Sequence, residues 1–101
     1  MAKIVWTFLA REDVDTICEY IAKDSVYHAI RFEDKLFEKV EILATTPYAG
    51  VLIAESPEKG IRHLVAGAYR IFYKFYSDSD EVRIIAVRHG ARLLDLDLLG
   101  E

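Results

Sequence analysis

Within residues 61–92 stand two histidines, three tyrosines and six cations, the groups of this chain best suited to chemistry. Imidazole titrates near neutrality, so His63 and His89, with Tyr69, Tyr73 or Tyr76, could supply acid–base groups. Arg62, Arg70, Arg88 and Arg92 fall on three successive strand patterns and the turn after them. One strand arginine is most simply a solubilising side chain on a half-covered sheet. The four together make a recognition surface an equally good reading, since arginine and aromatic residues anchor interfaces. Neither histidine has a second ligand three or four residues away and Cys18 stands alone, so no metal is expected. His28 reads as a surface residue. With no phosphate-binding loop, dinucleotide fingerprint or nucleophile elbow, no cofactor and no hydrolase chemistry are expected.

The elements that must position these groups follow from periodicity. Lys3 to Phe8 is rich in β-branched and aromatic residues and reads as a strand, and the start from Met1 to Leu9 is too short before the first acids to be a secretion signal. Thr7 is the expected N-cap of a helix ending near Lys23 and Asp24, with Val14, Ile17, Cys18 and Ile21 at helical spacing. Its early acids, Glu12, Asp13 and Asp15, suit the helix dipole. Ser25 is the expected cap of a second helix to about Ala44, whose core stripe is Ala29, Phe32, Leu36, Val40 and Leu43. Ile30, Phe37 and Ala44 widen that stripe, as a helix touching both a partner helix and a sheet requires. Tyr48 to Lys59 reads as a loop. Three strands follow, near 61–65, 69–76 and 81–89, joined by turns short enough to force antiparallel pairing.

The expected fold is therefore one α+β domain over residues 1–101, in the order β-α-α-β-β-β. A helical hairpin packs on one face of a largely antiparallel sheet. Alternation places Arg70, Phe72, Lys74 and Tyr76 on one face, read as open, and Tyr69, Ile71, Tyr73 and Phe75 on the other, read as facing the helices. For the last strand, alternation leaves both assignments of the faces open.

Composition narrows the partners. Apolar residues make up 52% of the chain, which carries a net charge of −4. That balance disfavours a general nucleic-acid binder, because phosphate contacts need concentrated Lys and Arg. No apolar run approaches the roughly 20 residues that span a bilayer, so no membrane partner is expected. The lone cysteine suits the cytoplasm. The charge is uneven: residues 11–43 hold nine acids and five bases, and residues 61–92 hold six bases and three acids. A modest basic face therefore lies on an acidic body.

Several stretches in order resemble the RelE/ParE superfamily of bacterial toxins, and its ParE-like branch more closely. They are Ile4-Val5-Trp6-Thr7, Leu9-Ala10-Arg11-Glu12-Asp13, Arg31-Phe32 with Leu36-Phe37, Gly60-Ile61-Arg62-His63-Leu64-Val65, Tyr69-Arg70-Ile71-Phe72-Tyr73 and Val87-Arg88-His89-Gly90-Ala91-Arg92. The resemblance implies the toxin half of a type II toxin–antitoxin module, held inactive by a cognate antitoxin, ParD-like or other. It also implies one of two targets. A ParE-like member acts on DNA gyrase, and here Arg62, Arg70, Arg88 and Arg92 would meet the target while Ile30 and Phe37 meet the antitoxin. A RelE-like member is a metal-independent ribonuclease on the ribosome, and here Arg70, Arg92 and His89 would be catalytic. The RelE tyrosine falls near Leu98, which cannot move a proton, and the lysine-rich approach shrinks to Lys59 between Glu55 and Glu58. Those departures, with the acidic balance, favour gyrase and no direct nucleic-acid binding by the free toxin. A third reading is a relic that binds its antitoxin and shares in regulation.

Overall fold

Thr7 and Ser25 begin the two helices, as their residue types require. Each side-chain oxygen accepts a backbone N–H three residues on, from Ala10 and His28, closing one of the helix's orphan donors. The computed structural model describes residues 1–91; Arg92 and the leucine-rich segment 93–99 lie outside the described residues. Along the chain come β1 (Lys3–Trp6), α1 (Phe8–Ala22), α2 (Val26–Ile42), β2 (Val51–Leu52), a 3-10 turn (Pro57–Lys59), β3 (Arg62–Ala66), β4 (Tyr69–Tyr76) and β5 (Glu81–His89). The sheet order is β1-β5-β4-β3-β2, with β1 parallel to β5 and the other described pairs antiparallel. The α+β architecture with a helical hairpin on one face is as expected. The segment read as a loop adds the two-residue strand β2.

The helix-facing core joins Val14, Leu36, Val40 and Leu43 to Ile71, Tyr73, Val82, Ile84 and Val87 of the sheet. The reverse face is less open than alternation implied. Phe72 is fully buried there, in a second core with Ile53, Ile61, Ile85 and Ala86. The cover comes from the segment after α2, tied down by Tyr73. Its buried hydroxyl donates to the Pro47 carbonyl at 2.9 Å and accepts the Gly50 N–H at 2.8 Å. Residue 50 must be glycine, because a Cβ there would stand 2.7 Å from the Tyr73 ring and 2.8 Å from the His63 carbonyl.

A β-bulge lets β5 serve both cores. Tyr73 pairs with Ile84 and Phe72 with Ala86, so Ile85 is one residue in excess. Val82 and Ile84 face the helices before the bulge, and Val87 does so after it. Arg88 consequently lies on the reverse face, directly across from Arg70.

Beyond Ile84 the edge of β5 has no strand beside it among the described residues, because β1 ends at Trp6. The start of α1 supplies the missing partners. Thr7 donates its N–H to the Ile84 carbonyl at 3.1 Å and its hydroxyl to the Ile85 carbonyl at 3.0 Å. Asp13 accepts the Val87 N–H at 2.9 Å, and the same carboxylate oxygen lies 3.5 Å from Arg88 Nε. Asp13, read from sequence as a dipole-complementing acid, instead completes a sheet edge. Replacing it leaves a backbone donor and a largely buried guanidinium without this acceptor. Asp13→Ala is expected to destabilise the fold by about 2–4 kcal/mol. Glu12→Ala, on the exposed neighbour, should stay within about 0.5 kcal/mol. Urea unfolding of both variants checks this, and equal losses would contradict the edge role of Asp13.

Candidate functional site

The reverse face near the β3–β4–β5 register is the place where cations, a histidine and carboxylates converge. Strand pairing puts His63 opposite Phe72, and Arg70 opposite both Val65 and Arg88, so these side chains share one face. Arg70 is held on three sides. Its Nε donates to His63 Nδ1 at 2.7 Å, and its two terminal nitrogens reach the two carboxylate oxygens of Glu55 at 2.9 and 3.3 Å. Its guanidinium carbon sits 4.7 Å from the Phe72 ring centroid. This is a two-pronged arginine–carboxylate pair, the strong geometry for such contacts.

An arginine Nε always carries its hydrogen, so His63 Nδ1 must be the unprotonated nitrogen and Nε2 the protonated one. Burial first, and the Arg70 charge second, hold the imidazole below its ordinary pKa of 6.5, against the opposing pull of Glu55. The hydrogen bond from Arg70 holds the Glu55 carboxyl below the usual carboxylate value. Nearby, Tyr76 receives two cations over its ring, Lys74 at 5.3 Å and Arg83 at 4.7 Å, and Arg83 pairs with Glu81 at 2.8 Å.

The four arginines named from sequence therefore do not form one set. Arg70 and Arg88 are neighbours on the reverse face, each facing a carboxylate from another element. Arg62 pairs with Tyr73 and lies on the opposite face, where it donates to the Gly50 carbonyl at 2.8 Å and stacks 5.1 Å from the Tyr48 ring. It fastens the covering segment. Arg92 lies outside the described residues. His89 sits with Tyr69 on the helix side, its ring 5.3 Å away, and its Nδ1 accepts the Ala91 N–H. His63 and His89 are thus on different faces, and Tyr73 is already committed to Pro47 and Gly50. Glu55 and Asp13 were not among the expected site residues, and no local pattern marks them, since their partners are 15 and more than 70 residues away.

A second surface lies on the hairpin. Ile30 and Phe37 are 57% and 41% exposed on α2, too open for the core role that a wide apolar arc suggests. Phe37 packs edge-on against Trp6 at 5.2 Å, beside a groove lined by Arg11, Val14, Asp15 and Glu33. Burial, with Glu33 behind it, pushes the nearby Cys18 thiol up to about 11, so it is a protonated donor and no nucleophile. Among the described residues no group of His, Cys, Asp and Glu could hold a metal ion, and no helix is long and apolar enough to cross a membrane.

With two helices packed on a five-stranded mixed sheet, the chain can be set beside known proteins. The family model of the ParE toxin of type II toxin–antitoxin system, parDE, matches residues 4–94. The chain belongs to this family of toxins. Toxin RelE2 of Caulobacter vibrioides is 32% identical over 93 residues, covering 92% of this chain and all of that one. A chain of the chromosomal ParDE system from P. aeruginosa superposes with a TM-score of 0.68 at 20% identity, over 88% of this toxin and 96% of that chain. One from the toxin–antitoxin complex RelBE2 of Mycobacterium tuberculosis gives 0.58 at 21%, over 87% and 96%. At those identities the two structures establish a shared fold. They carry the ParDE and RelBE names respectively, so fold alone does not separate the two toxin branches.

The Arg70 contacts make the site acid-labile. His63 is depressed in the folded protein, so between its folded and unfolded pKa values the unfolded chain binds more protons. The stability it contributes is present above about 6.5 and is lost as pH falls through the folded value. Glu55 acts in the same direction from about 4.5 downward. A proton NMR titration is expected to give a His63 midpoint below 6.5, moving upward in Arg70→Met. A midpoint at or above 6.5 in the unaltered toxin would contradict the arginine-to-imidazole hydrogen bond.

Proposed function

We propose that this toxin inhibits DNA gyrase by docking onto it, with no reaction of its own, and that a cognate antitoxin neutralises it. The observation that supports this reading most is the engagement of Arg70. A ribonuclease of this fold would need that guanidinium turned to the scissile phosphate, to stabilise charge developing there. Here it is turned to Glu55, on an arm braced by His63. Arg88 is likewise turned to Asp13. A chain of net charge −4 whose paired arginines are neutralised internally is poorly steered towards ribosome-bound messenger RNA. A protein surface makes no such demand, since anchoring there rests on arginine and aromatic groups in shaped contacts. Arg70 and Arg88, with Lys74, Tyr76 and Arg83 beside them, form the target face. Arg92 belongs to the same proposal by its place in the sequence.

The antitoxin is assigned to the helical hairpin, on the other side of the sheet. Ile30 and Phe37 give it an apolar strip two helical turns long, and helix-in-groove docking uses that spacing. The separation of faces makes the two interactions independently testable.

Purified toxin freed of antitoxin is expected to block gyrase supercoiling and to leave messenger RNA intact on programmed ribosomes. A-site cleavage with untouched gyrase would instead select the ribonuclease reading and make Arg70, Arg92 and His89 its reactive groups. Silence in both assays would favour the regulatory relic. On the hairpin side, Ile30→Asp should weaken antitoxin binding about tenfold or more, the loss typical of an anchor. Gyrase inhibition should change less than twofold, because the two faces lie on opposite sides of the sheet. Calorimetry against the antitoxin and the supercoiling assay read the two effects separately.

A further inference from the structure

The contact between Glu55 and Arg70 has two unequal halves. Arg70 is braced without Glu55: His63 accepts from its Nε, Phe72 lies under its plane, and its side chain is only 16% exposed. Its two outer nitrogens therefore point to one place whatever fills that place. Glu55 is 36% exposed and sits between two buried anchors, Ile53 and Ser56, so its side chain can swing away while the segment stays seated. The adjacent pair is built differently. Asp13 is 12% exposed and also accepts the Val87 N–H, so releasing Arg88 would break a sheet edge. Of two neighbouring arginines, one is locked to its carboxylate and the other holds a carboxylate that can leave.

We propose that the outward fork of Arg70 is a docking site for a carboxylate side chain of the target protein, and that Glu55 fills it in the free toxin as a displaceable internal stand-in. The proposal rests on the reading of this toxin as a protein-docking inhibitor. The ligand class follows from the occupant. The fork already receives both oxygens of a carboxylate, a match of planar donors to planar acceptors that an Asp or Glu of a partner reproduces. Exchange is one charge for one, returning Glu55 to water. A nucleic-acid backbone would bring a row of charges to a face where Glu81 and Asp13 already occupy the neighbouring arginines. Glu55 thus lowers the affinity of the target face until a better-placed acid arrives, and it screens Arg70 from passing anions.

The test follows the Arg70 Nε–H signal by nitrogen-15 NMR in the full chain, for the unaltered toxin, Glu55→Ala and Glu55→Gln. Each is titrated with sodium acetate and, separately, with dimethyl phosphate, a monoanionic mimic of the nucleic-acid backbone, at constant ionic strength. An exposed ion pair holds its occupant by a factor of roughly two to five. Both variants are therefore expected to reach half-saturation at about two- to fivefold lower acetate than the unaltered toxin. In the supercoiling assay Glu55→Ala should inhibit gyrase at about two- to fivefold lower concentration. Identical acetate titrations in all three proteins would overturn the site. Tighter binding of dimethyl phosphate than of acetate by Glu55→Ala would overturn the ligand class. A sharpened acetate response with unchanged or weaker gyrase inhibition would overturn the assignment to the target. If no form inhibits gyrase, the gyrase reading falls, and the acetate titration decides the site by itself.

Discussion

The extra residue in β5 decides which face of the sheet each later side chain of that strand meets, and both cores depend on it. Without the bulge at Ile85, strict alternation would send Arg88 to the side that Val82 and Ile84 occupy, among the helices. With it, two consecutive residues, Ile85 and Ala86, turn to the second core, and Val87 returns to the first. A bulge breaks the regular ladder and leaves a carbonyl to be satisfied. Thr7 meets that need, giving its hydroxyl hydrogen to the Ile85 carbonyl while its oxygen accepts the Ala10 N–H as the cap of α1. One threonine therefore ends β1, starts α1 and secures the irregularity in β5. The side-by-side placement of Arg70 and Arg88 is a consequence of this geometry.

The second core gives the covering segment its position, and the site inherits that precision. A short apolar cluster on the reverse face would be weak under a free loop. The Tyr73 hydroxyl and the Arg62 guanidinium both pass to the edge of the sheet and bind backbone atoms of residues 47–50. Those contacts lead the chain into β2 and on to Ile53 and Ser56, between which Glu55 is presented to Arg70. The fold's own packing sets where the backbone of Glu55 stands, and the exposed side chain keeps the rotamer freedom to make or leave its pair.

Much of this was legible in the sequence because local rules decide it. Thr7 and Ser25 mark the helix starts, the period of Ala29, Leu36, Val40 and Leu43 marks the buried stripe, and the short turns mark the antiparallel meander. Alternation failed where a bulge intervened, and no residue type near Ile85 announces one. It failed again at Phe72, whose face is correctly opposite the helices but is covered by a segment whose return no periodicity describes. Sequence pattern alone groups Arg62 with Arg70, a like residue in a like strand. An eight-residue separation across a tight turn sets them on opposite faces. Glu55 and Asp13 were invisible as site residues because a carboxylate's partner is fixed by tertiary approach, and no spacing rule reaches across 15 or 74 positions.

Two arginines directly opposite one another on neighbouring strands repel, and a sheet tolerates them only if each charge is answered. Here the answers come from different elements, a helix for Arg88 and the segment between β2 and the 3-10 turn for Arg70. Asp13 cannot leave without exposing an unpaired backbone donor at the sheet edge, whereas Glu55 gives up contacts at the surface, where water can replace them. Exchange of Glu55 for another anion leaves the charge balance of the face unchanged, while its loss without replacement leaves Arg70 unanswered beside Arg88. Of these two arginines, that asymmetry places an exchange of carboxylate at Arg70 and not at Arg88, and it favours a state in which a carboxylate, internal or external, answers the Arg70 charge.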